Sequence, residues 1–333
     1  MLCLKAFIHA AFGLTGLRHP YVRPRRMPIL LKNESAMTSP IIPSLAPQTV
    51  AGSTASFEPS AQAEIMAALG VPATFDAAHD IERRVVFLAD YLKRTGLRGY
   101  VLGISGGVDS STAGRLAQLA VERLRATGYD ATFYAMRLPY GMQQDEDDAQ
   151  LAMRFVAPDR AITVDIKPAT DALRHALSAD AVYRDDAHQD FVIGNVKARQ
   201  RMIAQYAIAG AHGALVIGTD HAAEALMGFF TKHGDGAADV TPLTGLTKRR
   251  VRALARHLGA PLALIDKVPT ADLESLSPQR ADEDAFGMPY DTLDDFLEGR
   301  DVSPTAAETI VRTYRATAHK RALPVSPEAD TEA

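Results

Sequence analysis

Apolar positions along this chain follow two alternating periods. From residue 100 onward, short runs of Val, Ile, Leu and aromatic residues give way repeatedly to longer stretches in which apolar side chains return every three or four positions. The short runs at 100–104, 131–136, 161–165 and 214–218 read as strands, and the stretches near 110–126, 144–156, 168–180 and 190–211 read as helices. Such alternation predicts an α/β fold, a parallel sheet with helices on both faces in three layers. Upstream, 80–95 places Ile81, Val85, Leu88 and Leu92 on one helical face and stops at Gly96, while 61–70 reads as a shorter helix. Past residue 219 the periods weaken into loops rich in Gly, Asp, Thr and Lys, and helices return near 247–258, 290–298 and 303–317. Polar loops at the ligand-binding edge of a sheet often act as lids.

Composition narrows the picture. The 333 residues are 47% hydrophobic and 23% charged, ordinary for a globular protein with a sizeable core. Residues 38–60 are rich in Pro, Ser, Thr and Ala without a period and read as a flexible arm. The expected organisation is a leader and arm over 1–59, with translation starting at Met27 or Met37, one folded catalytic domain over 60–327, and a tail over 328–333. The net charge of −4 is uneven: residues 1–36 carry six Lys or Arg against one acidic residue, a net +5, which leaves −9 for the rest. An acidic body argues against general nucleic-acid binding, which depends on clustered cations. Arg23-Pro-Arg-Arg26 after a short apolar segment could mark a targeting peptide, but Lys5 and His9 interrupt that segment. No run approaches the roughly 18 apolar residues that span a bilayer. Cys3 is the only cysteine, so an intrachain disulfide and a Cys-based metal cluster are excluded, and a cytoplasmic location is expected.

The chemistry concentrates first at Ser105-Gly106-Gly107-Val108-Asp109-Ser110-Ser111, between the first strand of the alternating region and the helix after it. Glycines let backbone N–H groups close on an anion, and the helix N-terminus adds a favourable field. Asp109 would repel phosphates unless a divalent cation lay between them, so the loop suggests ATP with Mg²⁺. No Lys follows Gly107 as a P-loop requires, and the G-x-G-x-x-G spacing of dinucleotide folds is missing. A plain tight turn with a Ser N-cap is the competing reading; strand, Asp109, paired serines and helix together outweigh it. S-G-G-x-D-S resembles the pyrophosphate loop of the ATP pyrophosphatase superfamily. Glu224, five residues beyond the strand end at Thr219, is a second carboxylate expected at the same edge, where it and Asp109 could share Mg²⁺. Taken alone, Glu224 reads as a solvated helical charge.

Longer strings select one branch of that superfamily. Gly218-Thr-Asp-His-Ala-Ala-Glu224, Gly228-Phe-Phe-Thr-Lys232, Gly234-Asp-Gly-Ala-Ala-Asp239 and Pro242-Leu-Thr-Gly-Leu-Thr-Lys248 resemble the ammonia-dependent NAD⁺ synthetases. Asn195-Val-Lys-Ala-Arg199, Arg137-Leu-Pro-Tyr-Gly141, Pro269-Thr-Ala-Asp-Leu-Glu274, Asp294-Asp-Phe-Leu-Glu-Gly299 and His319-Lys-Arg321 extend the resemblance over about 60–327. It implies the adenine nucleotide alpha hydrolase-like, Rossmann-like fold and amidation of deamido-NAD⁺ (nicotinic acid adenine dinucleotide) with ammonia. ATP is split to AMP and pyrophosphate through an acyl-adenylate, the last step of NAD⁺ biosynthesis.

By the same resemblance Gly103, Ile104, Ser105, Gly106, Gly107, Val108, Asp109, Ser110, Thr219, Lys248 and Thr270 contact ATP. Asp109 and Glu224 bind Mg²⁺, and both act catalytically with Lys248. Arg199, Lys232, Asp239, His319 and Lys320 contact deamido-NAD⁺. Bland readings stand beside these: Arg199 as a solvated helix face, His319 and Lys320 as charges at a helix end, Thr219 and Thr270 as turn residues. Family members are homodimers with this substrate near the interface. Val108 and Ser111 stand where many members have Gln and Thr, and residues 1–36 have no counterpart. Glutamine-dependent relatives carry a further amidase domain with a catalytic Cys, which this sequence does not offer, so free ammonia is the expected nitrogen donor. A tRNA-modifying pyrophosphatase and a non-catalytic nucleotide sensor are the alternatives. The acidic body weighs against the first, and Asp109, Glu224 and Lys248 together weigh against the second.

Overall fold

Four parallel strands in the order β3-β2-β1-β4 form the centre of the computed structural model, which describes residues 59–141, 146–270 and 273–327. In chain order the elements begin with α1 (Pro59–Ala68), α2 (Ala77–Thr95), β1 (Gly99–Gly103), α3 (Val108–Ala126), β2 (Thr132–Arg137), α4 (Glu146–Val156) and β3 (Arg160–Thr163). They continue with α5 (Lys167–Ala176), α6 (Asp186–His212), β4 (Ala214–Val216), α7 (Ala222–Met227), α8 (Lys248–His257) and α9 (Leu262–Ile265). The last four are α10 (Asp282–Phe286), α11 (Tyr290–Leu297), α12 (Pro304–Ala316) and α13 (Ala318–Arg321). The expected leader and arm, apart from Pro59, and the expected tail lie outside the described residues, as do the first two positions of the helix expected over 144–156.

The strand side chains alternate between two cores. Tyr100, Leu102 and Ile104 face α2 and α3 through Leu88, Leu92, Leu116 and Val121, whereas Val101, Met136 and Val216 face the other layer with Ala209 of α6. Burying a leucine such as Leu88, Leu92 or Leu116 contributes about 1.5–3 kcal/mol. α2 shows how local chemistry sets an element's ends: Asp76 accepts from the His79 N–H at the start, and Gly96 closes the helix at φ 72°. The helix expected over 168–180 ends at Ala176, and residues 177–180 form a turn. Missed altogether were α9, α10 and α13, of 4, 5 and 4 residues, too short for a 3.6-residue period to show, while the helical setting read for Glu224 is the six-residue α7. α7, α11 and α12 close a third apolar cluster around Phe286, Tyr290 and Phe296.

The strand order decides where a ligand can bind. From β1 the chain steps outward through β2 to β3, then returns to place β4 on the opposite side of β1. The loops leaving β1 and β4 therefore diverge, and the crevice between them lies at the carboxyl ends of adjacent parallel strands. No helix among the described residues is long and apolar enough to cross a membrane.

Candidate active site

A cavity of about 290 Å³ occupies that crevice. Gly103, Ile104, Ser105, Gly107, Val108, Asp109, Ser110, Thr219, Glu224, Lys248 and Thr270 all line it, so these expected ATP and metal positions come together around one cavity. Gly106 is the exception, buried behind the loop. It holds φ 89°, and a Cβ there would lie 3.0 Å from the Ala149 main-chain nitrogen, so both conformation and space demand glycine. Ser105 and Ser110 brace the turn through hydroxyls 3.1 Å apart. α3 begins at Gly107 without any side-chain cap, which leaves its first-turn N–H groups directed at the cavity.

Asp109 stands in that first turn, with Lys248 Nζ donating to its Oδ2 at 2.7 Å. Its Oδ1 is buried with no hydrogen-bond partner. His221 Nε2 lies 3.6 Å from Asp109 Oδ1 and 3.5 Å from Glu224 Oε1, so the three side chains converge within 4.8 Å. Burial is the largest single influence on the Asp109 carboxyl and raises its pKa, but the Lys248 charge and hydrogen bond, with the His221 and Arg252 charges, together outweigh it and the net shift is downward. Burial and the Asp109 charge together push Glu224 well above the ordinary carboxylate range. Burial also drives His221 down to about 3, so the ring is neutral. His221 Nδ1 accepts from the Glu224 N–H as N-cap of α7; on this hydrogen-bond pattern we assign the ring proton to Nε2, facing the two carboxylates. Nε2 itself has no hydrogen-bond partner among the described residues, and Asp109, His221 and Glu224 together form a group that could hold a metal ion.

Distant elements deliver Lys248, the first residue of α8. The buried Arg84 of α2, paired with Asp80 at 2.9 Å, donates to the Pro242 and Thr244 carbonyls and so pins the loop that leads into the helix. Asp294 of α11 accepts from the Lys248 and Arg249 N–H groups at 2.9 and 2.7 Å, a cap supplied from another helix. Burial raises the Asp294 carboxyl to about 6 against the pull of those bonds. Beyond the ammonium, the Tyr290 ring lies with its centroid 4.8 Å from Nζ, and its hydroxyl donates to Asp282 Oδ2 at 3.0 Å. His221, Asp282, Tyr290 and Asp294 escaped sequence reasoning as site residues. Only His221, at the end of β4, lay where a strand-end position could have flagged it.

The expected dinucleotide-binding residues form a separate group that does not line the cavity. Arg199 of α6 donates to the Lys232 carbonyl at 3.2 Å, and Lys232 Nζ donates to the His319 carbonyl at 2.6 Å. Lys320 Nζ donates to the carbonyls of Gly228 and Phe230 at 2.7 and 2.6 Å. Asp239 stands apart from these four beside β4, where Oδ2 accepts from the Val216 N–H at 2.7 Å. Asp220 links the two groups: burial and the Asp235 charge raise its pKa to about 7, Lys320 opposes that shift, and its own charge bears on Glu224.

A family described as NAD synthase matches residues 80–324. An NH₃-dependent NAD⁺ synthetase from Streptomyces coelicolor is 68% identical over 267 residues, 80% of this chain and 97% of the relative. The crystal structure of an NAD⁺ synthetase from Burkholderia pseudomallei superposes with TM-score 0.70 at 62% identity, covering 80% of this chain and 97% of that one. An NMN synthetase structure from Francisella tularensis gives TM-score 0.67 at 35% identity, covering 76% and 99%.

Proposed function

The chain belongs to the NAD synthase family, and from that premise we infer that it amidates deamido-NAD⁺ with ammonia, coupled to cleavage of ATP into AMP and pyrophosphate. A nicotinate carboxylate oxygen bonds to the α-phosphorus as the bond from that phosphorus to the bridging oxygen breaks. Pyrophosphate departs and an acyl-adenylate remains. Ammonia nitrogen then bonds to the acyl carbon, AMP leaves with the electron pair of the cleaved C–O bond, and nitrogen loses a proton.

One observation carries this reading: the uncapped start of α3, Asp109, Glu224 and Lys248 line one cavity in the β1–β4 crevice. The α3 N–H groups and the 103–110 loop bind the phosphates, Lys248 neutralises part of their charge, and Thr219 and Thr270 orient the nucleotide. Asp109 and Glu224 fit a divalent cation, because an orphaned, buried Asp109 oxygen faces a carboxylate that burial and a neighbouring charge force toward protonation. Mg²⁺ held there supplies positive charge to the phosphates and the leaving pyrophosphate. No dedicated nucleophile is needed, since holding the reactants in line supplies roughly 7–11 kcal/mol of the barrier. Arg199, Lys232 and Lys320 would exchange main-chain carbonyls for anionic groups of deamido-NAD⁺, with the His319 ring as a further contact and Asp239 accepting from a ribose hydroxyl. A homodimer completes the reading, supported by Phe191 and Ile203, exposed at 56% and 53% on α6, the helix that carries Arg199. The bacterial relatives support a cytoplasmic location.

Exchange of labelled pyrophosphate into ATP tests the reading. Exchange is expected only with deamido-NAD⁺ present, and amide formation is expected with ammonium and not with glutamine. Exchange that ignores deamido-NAD⁺, or is supported equally by nicotinic acid mononucleotide, overturns the substrate; comparable glutamine-driven rates overturn the nitrogen donor.

A further inference from the structure

Lys248 is 1% exposed, and its ammonium has one hydrogen-bonded carboxylate, Asp109, although Glu224 and Asp282 are also within electrostatic reach. A lysine stem is long and flexible, so an ammonium among three carboxylates needs something to keep it from settling between the wrong pair. The Tyr290 ring supplies that restraint. Its centroid is 4.8 Å from Nζ, within cation–π range. A ring face attracts the ammonium without a localised acceptor, so it takes up none of the N–H donors and leaves them for a phosphate. The Tyr290 hydroxyl meanwhile donates to Asp282 Oδ2, drawing one oxygen of that buried carboxylate away from Lys248.

Tyr290 is itself fixed. Phe286 packs against it edge-on, with centroids 5.3 Å apart at 88°, and Phe229 packs in the same way on Phe286. The Tyr290 N–H donates to Glu283 Oε1 at 2.8 Å. Tyr290 and Asp294 are four residues apart on α11, on one helical face. One helix therefore grips Lys248 twice, its main chain through Asp294 and its ammonium through Tyr290.

We propose that Tyr290 is a positioning residue for ATP cleavage, whose ring face holds the Lys248 ammonium where Asp109 and the ATP phosphates share it. The inference rests on the reading of Lys248 as a phosphate contact. Its test replaces Tyr290 by Phe and by mono-, di- and trifluorinated phenylalanines, which keep nearly the same shape while the ring face loses negative charge. Each is made with Lys248 intact and with Lys248→Met. Pyrophosphate exchange and calorimetric affinity for a non-hydrolysable ATP analogue are the readouts. Both are expected to fall stepwise with fluorine count, on the order of tenfold from Phe to the trifluoro variant, and to stay flat in the Lys248→Met background. A flat series with Lys248 intact, while Lys248→Met alone weakens ATP binding, overturns the role of Tyr290 and leaves that of Lys248 standing. Equal losses in both backgrounds make Tyr290 a packing residue and overturn the proposal. Unchanged ATP affinity and exchange in Lys248→Met overturn the premise together with the inference.

Discussion

The phosphate wall and the Arg199–Lys320 group both gather charge, but they satisfy it in different ways. Around Asp109 the charged side chains face one another: Lys248 pairs with Asp109 Oδ2, while Asp109 Oδ1 and Asp282 Oδ1 are buried without a hydrogen-bond partner among the described residues and Glu224 is pushed toward protonation. In the other group Arg199, Lys232 and Lys320 donate to main-chain carbonyls of Lys232, His319, Gly228 and Phe230. The first arrangement is preorganised, held by α3, α8 and α11 before any ligand arrives. The second is a set of bonds that a pyrophosphate or carboxylate can replace one for one. Fixed groups suit the reacting phosphorus, whereas exchangeable cations suit recognition of a large substrate.

Substitutions can break this comparison. Asp109→Asn keeps the shape of the phosphate wall but removes its charge, and steady-state kinetics should show a loss of about 10²–10³ in kcat; a near-normal rate would remove Asp109 from the reacting centre. Lys320→Ala strikes the other group, and the same assay should show KM for deamido-NAD⁺ rising about tenfold while KM for ATP stays within a factor of two. A matching rise in both constants would mean that the two groups act as one. The smallest effect is expected at Asp220, which links them, and it is thermal. Its folded pKa of about 7 lies above the ordinary 3.8, so the stability it confers is present in full below pH 4 and is lost as pH rises through 7. Asp220→Asn should therefore melt with wild type near pH 4 and above it by at least about 3 °C at pH 7.5 in ligand-free protein. A constant gap across that range would show that Asp220 does not titrate there.

The strand, turn and helix start that bring Asp109 to the cavity were legible because they are contiguous, occupying a dozen residues. The sheet was legible because each strand and its covering helix differ in period. Asp294 was not, since between Thr292 and Asp295 it reads as one more polar position on a short helix, and only the folded chain turns it onto the Lys248 N–H. Tyr290 looks equally like a core aromatic from sequence, and it is one; its second contact, with an ammonium 42 positions upstream, depends on how α8 meets α11. Asp109 and Lys248 are 139 residues apart, a pairing that no local pattern encodes. The Arg199, Lys232, His319 and Lys320 positions came from resemblance, because each alone is an unremarkable surface charge.

The orphaned Asp109 oxygen and the crowded Glu224 carboxyl also bear on protein engineering. Acidic groups packed together without enough partners weaken the empty fold, and the same crowding prepares it to receive a cation and phosphates. A selection that rewards heat resistance alone would favour a neutral amide at Glu224, while the buried Lys248 ammonium would hold Asp109 in place, and would breed robust, inert proteins. Any screen for hardier variants of this chain has to score turnover in the same round.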